Sequence, residues 1–439
     1  MGEHPHSPHH GSFDSGYHLL SEGEAGKVFF DSHSCHPIAN PKSYDVACSL
    51  HSRNDLGRIE RHAHRDRKEA LRPNKSTAHN TSQNPDMSTQ PFPPQLQIDG
   101  TLIGGDAPCY FIAEIGLNHN GSVEIANKLI DVAASAGASA VKFQKRDVDS
   151  LAIGAVLDAA DDRFPEFGST YRQIREHHEF DESEYRDLIF YARERGLTLF
   201  CTPFDLVSLE FLQKLDLPAY KIASHSVTNL PLLEAVASTG DPVIMSSGMC
   251  TWDELDAAVD IFRRRRTPLA LLHCVSSYPQ AEEESSLGLI AQLRDRYRVP
   301  AGYSGHELNS LVTLVAVGLG ASIVERHITL DSGMMGFDHK LSVEPGDLAA
   351  LIRDMRVVES MNRSLEKHVS DRERTTRVKY HVSLVSRQAI AAGETITRDM
   401  LALKNPGTGI PASAVDEVVG RKAKVAISED SMISFESLH

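Results

Sequence analysis

The sequence lacks any apolar run long enough to cross a membrane, since no window approaches the ~18 consecutive apolar residues of a membrane helix. Its start also lacks the charged stretch and apolar core that mark a secretory signal. Met1-Gly2 opens like a myristoylation site, but position 6 holds His6 where Ser or Thr is expected. Together these absences predict a cytoplasmic protein that has no membrane partner.

The sequence also has no excess of basic residues over acidic ones, since it contains 45 Lys and Arg against 60 Asp and Glu. The net charge is -15, whereas a nucleic-acid-binding protein needs a basic face. The short basic run from Arg263 to Arg266 follows a helical pattern and precedes Thr267-Pro268, so we interpret it as a solvated helix end. We therefore expect no nucleic-acid partner.

Close-spaced cysteine pairs, which would indicate structural zinc, are also absent among the cysteines of the main part of the chain. Cys109, Cys201, Cys250 and Cys274 lie in or beside apolar runs, which is typical of buried free thiols. Cys201, in the segment FCTPF, has the wrong surroundings for a nucleophile because nothing nearby marks a base.

The chain of 439 residues suggests two or three domains. Residues 1–95 are rich in His, Ser, Asn, Asp and Pro, and such a stretch buries too little apolar surface to offset its ordering entropy. Half of the 22 histidines lie there, but their irregular spacing does not support metal storage. We predict a disordered segment, with VFF at 28–30 and YDVACSL at 44–50 as candidate ordered pieces.

Beyond this segment, short β-rich runs alternate with amphipathic helical patterns. Eight such strands over roughly 250 residues are typical of a (β/α)8 barrel, that is, a TIM barrel. The rival architecture, a doubly wound open sheet, would have a Gly-rich phosphate turn after an early strand, which is missing. We assign the barrel to residues 96–370. A small β-rich domain over 379–439 follows the linker-like SDRERTTR. The predicted strands are 110–116, 140–144, 198–204, 219–224, 242–248, 269–275, 301–306 and 322–328.

Polar residues recur where these strands end, at positions where core packing would favour Val or Leu. In a barrel these ends meet at one face, so their side chains converge. Lysines and hydroxyls suit a phosphate and a carboxylate together. The residues are Glu114, Lys142, Gln144, Thr202, Lys221, Ser224, Ser246, His273, Ser276, Ser304, His306, Glu325 and His327.

Two of these residues, His306 and His327, end neighbouring strands about 4.8 Å apart and could reach one cation. Each could equally be a hydrogen-bonded core histidine. Lys142 and Lys221 have two functional interpretations, a Schiff-base nucleophile or an anion clamp. The surrounding hydroxyls favour the clamp.

Several segments closely resemble those of the sialic acid synthase (N-acetylneuraminate synthase) family, from about Cys109 to Met361. They are FIAEIGLNHNGS, VKFQK, TPFD, AYKIAS, MSSGM, LLHCVSSYP, YSGHE and VERHITL. The tail, with LKNPGTGIP as its clearest segment, resembles that family's antifreeze-like (SAF) domain. The resemblance implies a TIM barrel followed by this small β-rich domain. It has no counterpart for residues 1–95.

The resemblance also implies a reaction. The methylene carbon of phosphoenolpyruvate attacks the open-chain aldehyde of an N-acetylmannosamine-like sugar, and a divalent metal, typically Mn²⁺ with Mg²⁺ or Co²⁺ as alternatives, polarises that aldehyde. Water adds to the resulting oxocarbenium-like carbon, and phosphate leaves with C–O cleavage. It further implies a domain-swapped homodimer in which one protomer's antifreeze-like domain covers its partner's barrel.

Site roles follow from the matched positions. Lys142 and Lys221 would hold phosphoenolpyruvate, and Glu114 would sit beside the metal as a candidate base. His306 and His327 would bind the metal. The remaining substrate-binding positions implied by the resemblance are Gln144, Thr202, Ser224, Ser246, Ser276, Tyr278, Ser304, Asp338 and Asn405.

Three positions depart from the family's pattern, all among the substrate contacts. Ser226 stands where a glutamate is usual, with His225 as an adjacent replacement, and Ser276 stands where an asparagine is usual. Asn405 replaces an arginine and so removes a bidentate donor. The precursor of legionaminate, pseudaminate or another nonulosonate is therefore an alternative acceptor to N-acetylmannosamine. Two alternatives stay open: a metal-dependent sugar aldolase, and a catalytically reduced sugar-binding paralogue.

Overall fold

The computed structural model describes residues 92–362 and 366–439. The described residues divide into two compact units, one that ends at Ser360 and one that spans Met361–His439, and we describe them separately. Nearly all of the predicted disordered segment, including VFF and YDVACSL, lies outside the described residues. Among the described residues, no helix is long and apolar enough to span a bilayer.

The first unit contains a closed barrel of eight parallel strands. Every predicted barrel strand is present, which confirms the fold class. Around the barrel the strand order is β10-β3-β4-β5-β6-β7-β8-β9. Their bounds are β3 (Tyr110–Gly116), β4 (Ala140–Lys145), β5 (Thr198–Pro203), β6 (Tyr220–Ile222), β7 (Val243–Ser246), β8 (Leu269–Cys274), β9 (Ala301–Gly305) and β10 (Ile323–His327).

A short hairpin precedes the barrel and contributes to its interior. β1 (Leu96–Ile98) pairs antiparallel with β2 (Thr101–Ile103). Leu96, Ile98 and Ile103 are buried in one apolar cluster with barrel residues such as Tyr110 and Ile112. Tyr110 begins its strand, so the hairpin packs at the N-terminal end of the barrel. The opposite end, where the strands finish, is left for the site.

Helices follow the strands and bury their apolar faces in a second, larger cluster. Ser122 caps the start of α1, where its Oγ accepts the Ile125 N–H, and Gly137 with φ +83° caps the end. The helices are α1 (Val123–Ala136), α2 (Val148–Leu151), α3 (Gly154–Leu157), α4 (Tyr171–His177), α5 (Glu182–Glu194), α6 (Leu206–Gln213), α7 (Leu230–Ala237), α8 (Trp252–Arg265), α9 (Gly288–Tyr297), α10 (Leu311–Gly318) and α11 (Pro345–Met361).

Two further predictions about side chains are confirmed, except that Cys250 is not fully buried. The basic run forms the end of α8, where Arg266 adopts a left-handed conformation and Arg264 and Arg265 pair with Glu234 on the surface. Cys109, Cys201 and Cys274 are buried free thiols, and Cys250 is half-buried and free. Burial raises the pKa of the Cys201 thiol to about 12, which argues against a nucleophile.

The second unit is small and has its own apolar core, which includes Leu384, Ile396 and Ile433. β11 (Ser383–Ser386) pairs antiparallel with β12 (Leu401–Lys404), and α13 (Val415–Val418) is short. The linker-like segment SDRERTTR is helical: Ser370 caps α12 (Asp371–Tyr380), which contains the other seven residues of the segment. A capping box between Ser370 and Glu373 stabilises its first turn, although the helix buries none of its residues.

Candidate active site

The C-terminal ends of the barrel strands surround a cavity of about 600 Å³. His273, also predicted at a strand end, does not line this cavity: its Nε2 lies 2.7 Å from the Ser285 carbonyl oxygen. Every barrel residue to which the family resemblance gives a role does line the cavity, although these roles stay predictions. They are Glu114, Lys142, Gln144, Thr202, Lys221, Ser224, Ser246, Ser276, Tyr278, Ser304, His306, His327 and Asp338. Asn405 belongs to the second unit, where it is exposed just after β12.

Two buried lysines share a carboxylate in this cavity. Glu325 Oε1 lies 3.5 Å from Lys221 Nζ and 3.9 Å from Lys142 Nζ. Glu114 Oε2 adds a closer ion pair to Lys142 at 2.8 Å. Lys142 also donates to Thr202 Oγ1 at 3.0 Å. Two ammonium groups and two carboxylates thus offset one another in a place where an isolated charge would be costly.

The pKa values of the two lysines shift in opposite directions. Burial lowers the pKa of Lys142, but Glu114 and Glu325 outweigh it, so the net shift is upward and the group stays charged. Burial also lowers the pKa of Lys221, and Glu325 does not compensate fully, so the net shift is downward. Lys221 Nζ donates to Ser246 Oγ at 2.7 Å and to the Ile222 carbonyl at 3.3 Å. These contacts favour an ammonium that can bind an anion.

A hydroxyl cluster lies beside the lysines, around a glycine that the sequence reasoning missed. The Gly248 N–H donates to Ser224 Oγ at 3.0 Å. A Cβ atom at Gly248 would come within 2.5 Å of Ser276 Oγ and 2.8 Å of Ser224 Oγ. Only glycine leaves room for both hydroxyls to approach this strand end. The signal was in the segment MSSGM, whose glycine is the last residue of the predicted strand over 242–248.

The two histidines face each other across neighbouring strand ends, with ring centroids 5.7 Å apart. His306 Nδ1 lies 2.9 Å from the Val275 carbonyl, so in the tautomer that donates to it Nε2 remains as an acceptor. His327 Nδ1 is buried without a hydrogen bond, 3.7 Å from Asp338 Oδ2. His327 also pairs in register with Glu114, which places the candidate base next to it.

These imidazoles fit a cation that takes two protein ligands. Burial lowers the pKa of His327, which favours the neutral ring that metals require. Burial also lowers the pKa of His306, but Cys274 and the Val275 carbonyl outweigh this effect, so the net shift of the His306 pKa is upward. Within residues 92–362 and 366–439, no group of three or more His, Cys, Asp or Glu side chains is arranged to hold a metal.

Two arginines that the sequence reasoning missed also line the cavity. Arg146 and Arg175 are 5% and 2% exposed, and Tyr171 and Phe204 lie in the same wall. Arg146 continues the alternation of Lys142 and Gln144 by two residues, and alternate residues of a strand share a face. This two-residue period could have identified Arg146 from the sequence. Arg175 lies on α4, whose position over the cavity depends on the tertiary fold.

The structure shows where Ser226, one of the departures from the family's pattern, and its neighbour His225 lie relative to the cavity. Ser226 is buried and does not line the cavity, whereas the neighbouring His225 does. His225 Nε2 lies 3.0 Å from Ser226 Oγ, and its ring lies 4.7 Å from that of Phe204. An imidazole therefore occupies this part of the wall, as the proposed replacement requires.

The sequence and the fold both match known proteins. A model of the NeuB family matches residues 129–367, and a SAF domain model matches residues 381–438. N-acetylneuraminate-9-phosphate synthase of Mus musculus is 36% identical over 350 residues, which cover 79% of this chain and 98% of that protein. N,N'-diacetyllegionaminic acid synthase of Legionella pneumophila is 34% identical, covering 76% and 96%.

Among solved structures, the chain is similar to N-acetylneuraminic acid (sialic acid) synthetase from Leptospira borgpetersenii, crystallised with citrate. The TM-score is 0.58 at 33% identity, covering 65% of this chain and 96% of that one.

Proposed function

Because this chain belongs to the NeuB family, we propose that it condenses phosphoenolpyruvate with an amino-sugar aldehyde to give a nonulosonic acid and phosphate. The observation that carries the proposal is the pair of buried lysines set among hydroxyls in one cavity. Phosphoenolpyruvate carries a phosphate and a carboxylate, and Lys142 and Lys221 are the cations able to bind them. An aldolase acting without phosphoenolpyruvate would not need this arrangement.

The residues act mainly by position and charge. Lys142 and Lys221 hold the donor, with Thr202, Ser246 and Ser304 as further hydrogen-bonding groups. The methylene carbon then forms a bond to the aldehyde carbon, water adds to the former enol carbon, and its C–O bond to phosphate breaks. Glu114, fixed by Gln144 at 2.6 Å and Lys142 at 2.8 Å, takes the proton of the attacking water.

We further propose that His306 and His327 hold a divalent cation, Mn²⁺ first and Mg²⁺ or Co²⁺ as alternatives. When bound, such a cation supplies Lewis-acid polarisation of the aldehyde oxygen. The buried and unbonded Nδ1 atom of His327 supports this assignment.

The N-acetylmannosamine-like acceptor is our first choice, with legionaminate and pseudaminate precursors as alternatives. We propose a homodimer in which Asn405 of one protomer reaches its partner's barrel. Light scattering tests the dimer, because it measures the molar mass of the particle in solution. We also propose action in the cytoplasm, where phosphoenolpyruvate is found, and cell fractionation tests this.

The deciding experiment incubates the purified chain with Mn²⁺, phosphoenolpyruvate and a panel of amino-sugar aldehydes. We expect phosphate release and a product whose mass equals donor plus acceptor plus water minus phosphoric acid. In ¹⁸O-water the label should enter the sugar acid and not the phosphate, because the C–O bond breaks. A product without phosphate release would indicate an aldolase, and no product from any acceptor would favour the catalytically reduced paralogue.

A further inference from the structure

A buried ion pair that the proposed reaction does not use lies behind the two histidines, on the other side of the barrel wall. Arg326 and Glu307 are 1% and 0% exposed, and neither lines the cavity. Arg326 stands between Glu325 and His327 on β10. Because successive strand residues face opposite sides, Arg326 points away from the cavity that its two neighbours line. Its Nη1 atom lies 2.8 Å from Glu307 Oε1.

The Glu307 carboxylate is bonded through both of its oxygens. Thr313 Oγ1 donates to Oε1 at 2.7 Å, and the Tyr303 hydroxyl donates to Oε2 at 2.9 Å. A Cβ atom at Gly305 would come within 2.3 Å of Oε2, so the glycine leaves the space that the carboxylate fills. Apolar side chains of similar volume often stabilise a fold as well as a buried ion pair does. Stability alone therefore does not account for this pair.

The Arg326 side chain ties the segment after β9 to β10 at the point where backbone pairing ends. The paired residues of these two strands end one residue before each histidine. Beyond that point, Arg326 Nη2 donates to the Glu307 carbonyl at 2.5 Å, and Nη1 donates to the Asn309 carbonyl at 3.1 Å. The guanidinium fork thus continues the connection between the strands beyond their ladder.

This connection bears on the position of His306, the residue directly before Glu307. His306 Nδ1 lies 2.9 Å from the Val275 carbonyl, and its own carbonyl accepts the Gln280 N–H at 3.1 Å. These two contacts fix His306 to the segment after β8. The bonds of Arg326 fix the same segment to β10, which carries His327. The relative position of the two imidazoles therefore depends on the ion pair.

We propose that Arg326, held by Glu307, is a positioning residue that sets the separation of His306 and His327 for a divalent cation. This inference rests on the proposed metal site. Groups that orient metal ligands from outside typically change metal affinity about 10–100-fold when they are replaced. With two protein ligands, displacing one imidazole removes half of the protein's hold on the cation.

The test measures the Kd for Mn²⁺, and in parallel for Co²⁺, by calorimetry on the metal-free full chain without substrate. His306→Ala identifies the binding event that belongs to the site. We expect Arg326→Lys to raise its Kd about 10-fold or more, because lysine keeps the charge but loses the planar fork. Arg356→Lys is the matched control. Arg356 Nη1 donates to the Cys109 carbonyl at 2.9 Å and to Glu359 Oε1 at 2.8 Å, just before β3 begins, so its replacement should leave Kd unchanged.

Turnover gives a second readout. Arg326→Lys should need about 10-fold more Mn²⁺ for half of its maximal rate and should regain activity at saturating Mn²⁺. A loss of folded protein would not be repaired by added metal, so failure to regain activity together with an unchanged Kd would contradict a positioning role.

An unchanged Kd in Arg326→Lys, beside wild-type binding that needs His306, would overturn the inference and leave the proposed metal site standing. No binding by the wild-type chain, or binding that survives in His306→Ala, would overturn both, while the product assay still decides the proposed condensation. If circular dichroism shows that Arg326→Lys is unfolded, Thr313→Val takes its place, because the Thr313 hydroxyl bonds both members of the ion pair. A rise in Kd of about 5-fold is then expected from the lost hydrogen bonds, and an unchanged Kd overturns the inference.

Discussion

At the scale of single residues, buried charges in the cavity compensate one another. Glu325 lies between Lys142 and Lys221, and its Oε1 also accepts from Ser304 Oγ at 3.2 Å. Burial raises the pKa of Glu325, but the two lysines outweigh it, and the net shift is downward. The cavity can therefore keep two cations ready for an anionic substrate without leaving any of these charges unpaired.

The proposed metal role depends on two side chains. We expect His306→Ala to lower turnover about a thousandfold or more, because Lewis-acid stabilisation is worth several kcal/mol. Chelation of the wild-type chain should abolish activity, and added Mn²⁺ should restore it. His368→Ala is the control, because that histidine is exposed in the second unit. Full activity in a chelated sample shown by elemental analysis to be metal-free would rule the metal out.

At the scale of secondary-structure elements, the strands form where the sequence pattern predicts them. The residues at which they end depend on the tertiary fold. The predicted strand over 219–224 is shortened to Tyr220–Ile222, and Ser224 begins a 3-10 turn instead. This turn places the Ser224 hydroxyl where the Gly248 N–H can reach it. Hydrophobic periodicity cannot register such a turn, because the residues concerned are polar and bond locally.

We expect the free energy of unfolding to depend on pH through His178, the residue that follows α4. His178 is buried, its Nδ1 bonds the Ile174 carbonyl at 2.7 Å, and its pKa is lowered to about 4, mainly by burial. The unfolded chain binds a proton near pH 6.5, whereas the folded chain does so only near pH 4. The free energy of unfolding should therefore fall as pH decreases from about 6.5 to 4, by about 2 kcal/mol from this group at pH 5.

Urea unfolding at pH 7 and pH 5 measures this effect, with His178→Phe as the comparison. Phenylalanine keeps a ring against Phe167 and Phe337 but cannot titrate. The wild-type chain should lose about 1–2 kcal/mol more than the variant between the two pH values. An identical loss in both proteins would show that His178 does not carry the pH dependence.

At the scale of the whole molecule, the two units differ in how they are held together. The first unit has a barrel with apolar clusters on both sides of its strands, whereas the second relies on one small core. α12 contains Arg372, Arg374, Arg377 and Lys379 and buries none of its residues. A helix that is polar all round gains little from packing and opens readily.

We therefore expect trypsin, at low concentration, to cut within α12 before it cuts elsewhere in the described part of the chain. Mass spectrometry should detect a resistant C-terminal fragment that begins between 373 and 380, which also tests the predicted domain over 379–439. First cuts inside α8 or α9, which also contain arginines but pack against the barrel, would contradict this expectation.

The amino-acid sequence by itself determined the barrel, its strands and the ring of polar side chains at their ends. Each of these depends on local alternation, and parallel strands necessarily bring their C-terminal ends to one face. The tertiary structure alone decided three other features: the sharing of Glu325 between two lysines, the close approach of two serines to Gly248, and the position of Arg175 beside Arg146. These depend on which connecting segments fold over the cavity and how near their atoms come, and no pattern along the chain encodes such distances.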